Sequence, residues 1–134
     1  MPVCNTLVDD APTITPSAVA SDPPAPAGGT IVAGTYEWSA VTVYAGPGGS
    51  TAPPVNTFSA VFEIRGDTIQ QVGRVNDVEN HVTSTFTTSG TDLSTVDKCP
   101  DLNSDTLPFT ATATDFRVYV TSSRGTIEQV YTLR

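Results

Sequence analysis

The chain is poor in basic residues. Lys98 is its only lysine, and five arginines bring the basic total to 6 against 14 acidic residues, a net charge of −8. That balance argues against nucleic acid as a partner, because such affinity rests on Lys and Arg neutralising phosphates. It also argues against anionic membrane surfaces. A cationic partner or a divalent metal fits the charge, and so does solubility alone. Histidine is as scarce: His81 stands alone. A Ser-His-Asp arrangement would have to use it, no Gly-x-Ser-x-Gly elbow exists, and zinc sites usually need several His or Cys. Gly46-Pro47-Gly48-Gly49 lacks the lysine and helix of a phosphate-binding loop. Paired carboxylates for glycoside hydrolysis need only the right spacing in space, but most acids here fall in loops or the leader. The sequence therefore predicts a protein that is not an enzyme and holds no cofactor. No apolar run approaches the roughly 20 residues that span a bilayer as a helix.

Cysteine is scarce as well, with Cys4 and Cys99 alone. In an exported chain the two would form a disulfide, and in a cytosolic one they would stay as buried thiols. A third reading makes Cys4 the lipid-modified first residue of a bacterial lipoprotein, its anchor missing from this sequence. Met1-Pro2-Val3 reads as an artificial start with a targeting segment removed. The sequence thus predicts a Cys4–Cys99 disulfide and an exported location, whether periplasmic, outer-surface or extracellular. It leaves the oligomeric state open.

What the chain does have is proline, glycine, threonine, serine and valine. Pro12, Pro16, Pro23, Pro24 and Pro26 exclude helix and central strand from residues 1–33. We read that segment as an extended leader, either a spacer or a strap packed on the domain. Residues 34–134 form the second unit. There the pattern turns to short stretches of period-two alternation, rich in β-branched residues that favour strands. Eight strands are predicted, over 35–45, 57–65, 68–75, 81–88, 92–98, 109–114, 116–121 and 126–133. Eight is the number whose barrel interior just fits side chains or one small ligand. The expected fold is an all-β, eight-stranded antiparallel up-and-down barrel; a two-sheet β-sandwich is the alternative.

In such a meander the connections alternate between ends. Gly66-Asp67, Ser89-Gly90 and Thr114-Asp115 are tight and lie at one end. Connections over 46–56, 76–80, 99–108 and 122–125 lie at the other. Loops on a rigid scaffold are where binding usually resides, so the long-loop end is the expected mouth.

Gly34-Thr35-Tyr36-Glu37-Trp38, opening the first strand, resembles the lipocalin-like domains of bacterial exported proteins. Thr68-Ile69-Gln70-Gln71-Val72, Ser89-Gly90-Thr91-Asp92-Leu93, Cys99-Pro100 and the closing Val130-Tyr131-Thr132 extend the likeness to small lipoproteins of myxobacteria of unknown function. The resemblance implies a barrel and, in the wider class, often a small apolar ligand. Tyr36 stands where lipocalins usually place Trp, and the barrel has only roughly 100 residues; both argue against a roomy cavity.

The candidate ligand-binding residues follow from the inward face. Trp38, Phe58, Phe62 and Phe86 would supply an apolar wall, with Tyr36, Gln71, Gln129 and Tyr131 as polar groups beside it. Inward glutamines weigh against a completely filled core, where unpaired amides are costly. The structural alternative is a filled barrel acting in the cell envelope through its loops or leader. Asp101, Asn103 and Asp105 have the oxygen spacing of a calcium loop, but Thr106 and Thr112 replace its Gly and Glu, so an Asx-rich turn explains them better. Asp77, Glu79 and His81 alternate at a strand start and read as a solvated edge. Arg65-Gly66-Asp67 spells an adhesion tripeptide but sits where a hairpin turn is needed.

Overall fold

Nine strands and no helix make up residues 4–134, the part of the chain that the computed structural model describes. Met1-Pro2-Val3, read above as an artificial start, lie outside it. The strands are β1 (Ser17–Val19), β2 (Gly34–Tyr44), β3 (Phe58–Arg65), β4 (Thr68–Val75), β5 (Val78–Ser89), β6 (Asp92–Cys99), β7 (Asn103–Ala111), β8 (Asp115–Ser122) and β9 (Gly125–Leu133). From β2 to β9 each strand pairs antiparallel with the next, and β9 returns to pair with β2 from Tyr36↔Leu133 to Tyr44↔Thr126. The sheet is therefore a closed eight-stranded barrel, and the two-sheet sandwich is ruled out. Closure leaves no long sheet edge exposed.

Alternation places Tyr36, Phe62, Ile64, Ile69, Leu93, Phe109, Phe116, Val118 and Tyr131 in one buried core. Two bulges, each adding one residue to a strand, break the period. The first lies between Trp38 and Ala40 against β9. It shifts the phase of β2 beyond Trp38, so that Val41 and Val43 are buried while Ala40 is only half-buried. The second lies opposite Thr83 and Ser84, where Ser84 pairs with Asp97 but Thr83 with Cys99. Lys98 is the extra residue, and Cys99 is turned to the outer surface.

The connections differ from expectation at the long-loop end. Asn76 and Asp77 form a two-residue turn with φ of 51° and 67°, the double left-handed geometry of a I′ hairpin that Asn and Asp tolerate. β5 consequently begins at Val78. β7 begins at Asn103, so only residues 100–102 join it to β6. The 122–125 connection is likewise tight. One long loop remains, residues 45–57. It is tied down where Arg124 Nη2 donates to Ala52 O and where Thr57 N donates to Asn76 Oδ1 (3.0 Å). At the other end, the strand expected over 109–114 stops at Ala111, and Ala113 lies exposed in a three-residue connection.

The leader is bonded to the barrel along its length. Cys4 and Cys99 form a disulfide, and Thr83 Oγ1 donates to Cys4 O (2.9 Å). Asn5 Nδ2 donates to Gln71 O and Val82 O (both 3.1 Å), while its Oδ1 faces His81 Nδ1 at 2.9 Å. Buried Ser59 donates to buried Asp9 Oδ2 (2.6 Å). β2 and β3 pair only over 34–37 and 61–64. Beyond that they part, and the leader fills the gap: Ile14 bridges to Phe58, and β1 pairs parallel with β2. Residues 28–32 close the end with the tight turns. Gly28 bonds to Phe109 O and Ala111 N, Ile31 packs on the core, and Tyr36 Oη donates to Val32 O.

Candidate functional site

Aromatic residues fill one side of the barrel interior. Phe116 lies 4.9 Å from Tyr131 and 5.0 Å from Tyr36, and Phe62 lies 4.4 Å from Tyr131, centroid to centroid. Trp38 packs on Phe58 (4.7 Å) and Tyr131 (5.8 Å). Such offset and edge-on pairs add to the area they bury. The side facing β4 to β7 is not filled. It holds a cavity of about 210 Å³ with Phe62, Ile69, Leu93, Leu107, Phe116, Val118 and Tyr131 as apolar lining. Gln71, Ser84, Thr95, Asp97 and Gln129 supply the polar lining.

The polar groups come from alternating positions on β4, β5, β6 and β9. Ser84 Oγ donates to Asp97 Oδ1 (2.6 Å), a short bond of the kind an ionised acceptor makes. Tyr131 Oη donates to Gln129 Oε1 (2.8 Å). Burial pushes the Tyr131 hydroxyl well above the usual phenol range, so it stays a donor at neutral pH. That bond turns the Gln129 carbonyl to the protein and leaves its NH₂ group as the donor. β7 carries the inner face further towards the long-loop end, where Asp105 pairs with Thr95 and Asn103 with Asp97.

Of the eight residues predicted from sequence, Phe62, Gln71, Gln129 and Tyr131 line the cavity. Tyr36, Trp38, Phe58 and Phe86 do not: Tyr36 is wholly buried, and all four pack into the core beside it. Trp38 Nε1 is buried without a hydrogen-bond partner. Ser84, Thr95 and Asp97 were missed. The signal for Thr95 and Asp97 was the period-two series from Leu93, and for Ser84 the series from Val82 to Phe86, both hidden by a polar composition. Asp101 lies in the connection before β7, and Asp105 Oδ1 accepts from Thr106 N (2.9 Å). Among the described residues no three His, Cys, Asp or Glu side chains gather as a metal would require.

A second acid, Glu128, is buried on the outer face of β9. Tyr119 Oη (3.0 Å) and Tyr44 Oη (3.5 Å) donate to it, and Arg117 Nη1 lies 3.6 Å away. Burial and then the Glu128 carboxylate hold the Tyr119 hydroxyl above its ordinary range. Glu128 is thus fully engaged by its own chain, unlike Asp97. Pro23, Pro24 and Pro26 of the leader line a shallow groove beside this cluster with Pro108. The β7–β8 ladder runs only from Ala111↔Phe116 to Phe109↔Val118, since Pro108 has no N–H to continue it. No described helix is long and apolar enough to cross a membrane. Comparison of the chain with protein-family models, curated proteins and solved structures gives no match.

Proposed function

We propose that this is a lipocalin-like, non-catalytic binding module of an exported protein. Its ligand is small and mostly apolar, and enters the barrel from the end that carries the 45–57 loop. The cavity carries this reading: about 210 Å³ with an apolar wall and a few convergent polar groups, the usual make-up of a ligand site. Leader residues 28–32 cross the opposite end, which leaves the loop end for entry. The size suits a ligand of roughly eight non-hydrogen atoms, scaled from an apolar cavity of about 150 Å³ that takes benzene. The disulfide fits an oxidising compartment and so supports export. The structural alternative draws on the aromatic cluster packed on one side of the barrel interior.

Calorimetric titration with benzyl alcohol tests the proposal. Saturable binding at one site per chain is expected, and it should be lost in Leu107→Trp, whose larger side chain occupies the cavity from the partly exposed β7. Absence of binding to the unmodified protein, or equal binding to the filled variant, would remove the reading.

A further inference from the structure

We infer that the cavity selects a ligand with a cationic head: a small amine, protonated at neutral pH, on an apolar body. This rests on the binding reading above and specifies its ligand. Asp97 is the one ionisable acid among the lining residues, and no lysine, arginine or histidine lines the cavity with it. None of the ion pairs among the described residues includes Asp97. Ser84 occupies one carboxylate oxygen, whereas a carboxylate can accept about four hydrogen bonds. Asp97 is half-buried, and a cationic ligand would supply the counter-charge that the lining does not. Glu128 shows how this chain treats an acid it keeps for itself, with two tyrosines and an arginine around it.

The approach has the same sign. Cross-strand pairing puts Asp105 beside Thr95 and Asn103 beside Asp97, on the face that continues the cavity towards the loop end. Asp105 is exposed there. An entering ammonium therefore meets one carboxylate at the rim and a second inside, while Phe62, Leu93 and Val118 receive its apolar body. A carboxylate ligand would meet repulsion at both points. The chain's net charge of −8 acts in the same direction at longer range.

The experiment is a calorimetric panel of three probes of nearly equal size: benzylamine, benzyl alcohol and benzoate. In the unmodified protein, benzylamine should bind about tenfold or more tighter than benzyl alcohol, the worth of one charge-assisted hydrogen bond. Benzoate should bind more weakly than the alcohol. Asp97→Asn keeps an oxygen for Ser84 and should erase the preference for the amine over the alcohol. Equal binding of amine and alcohol to the unmodified protein would overturn the inference and leave the binding reading standing. Binding of none of the three would overturn both. The ranking in the unmodified protein decides the matter even should Asp97→Asn fail to fold.

Discussion

Asp97 and Cys99 stand two residues apart on β6, yet Asp97 faces the barrel interior and Cys99 the outer leader. Lys98 makes this possible. As the extra residue of a bulge, it shifts the phase of the strand by one and turns the next side chain outwards. One local irregularity thus gives the leader its covalent anchor while Asp97 keeps its place in the inward series.

Deleting Lys98 should restore regular alternation while keeping Asp97 inside and Cys99 outside. The variant is expected to fold and to show no free thiol when counted in denaturant without reductant. Two free thiols in a folded variant would contradict this account of the bulge.

Replacing both cysteines by serine removes a cross-link between residues 95 apart. In the chain-entropy model the loss is about 4–5 kcal/mol. Asn5, Asp9, Ile14 and β1 still hold the leader, so the variant should fold with a lower denaturant midpoint and a steeper slope, because the unfolded chain expands once the cross-link is gone. An unchanged midpoint would show that the cross-link constrains nothing in the unfolded chain.

Phe116→Ala should cost about 3–5 kcal/mol, the range for a large buried aromatic. Phe116 is 1% exposed and in contact with both Tyr36 and Tyr131. Equilibrium unfolding measures this, and a loss below about 1 kcal/mol would mean that the aromatic cluster is looser than described.

Tyr131 sets an alkaline limit. Its folded pKa is raised by burial above the ordinary value of 10.0, so the unfolded chain releases this proton first. Its contribution is intact below about pH 10 and is lost as pH rises from there towards the folded value. The unfolding midpoint should fall between about pH 10 and 11.5, and the fall should be shallower in Tyr131→Phe. An identical pH profile in that variant would refute the assignment.

Much of this fold was legible in the sequence. Phe58, Ala60, Phe62 and Ile64 alternate with Ser59, Val61 and Glu63, and that series is β3 as observed. Val61 is nevertheless buried, because leader residues cover the outer face there, and a strand's own pattern cannot show what lies over it. The β5 and β7 starts were missed for another reason. Asn76-Asp77 and Asn103-Ser104-Asp105 are turn-forming residues by composition. The first pair is indeed a turn, only a shorter one, while the second group is held straight by its ladder to β6. Bulges carry no compositional mark, so the phase of β2 beyond Trp38 and of β6 beyond Asp97 was not legible in the sequence. In the site, Gln71 and Gln129 stood out as amides on apolar faces. Asp97 did not, since an acid in a strand usually marks a solvated face, and its polar same-face neighbour Thr95 gave no contrary signal.

The central claim is that the barrel interior, rather than its outer grooves, is the binding site. Two-dimensional NMR of isotopically labelled protein titrated with benzyl alcohol tests it most directly. The account predicts saturable shifts of the Gln71 and Gln129 side-chain amides and of the Leu93, Leu107 and Val118 methyls, with one common dissociation constant. Shifts confined to residues around Pro23, Pro24 and Tyr119 on the outer face, or no saturable shift at all, would contradict it.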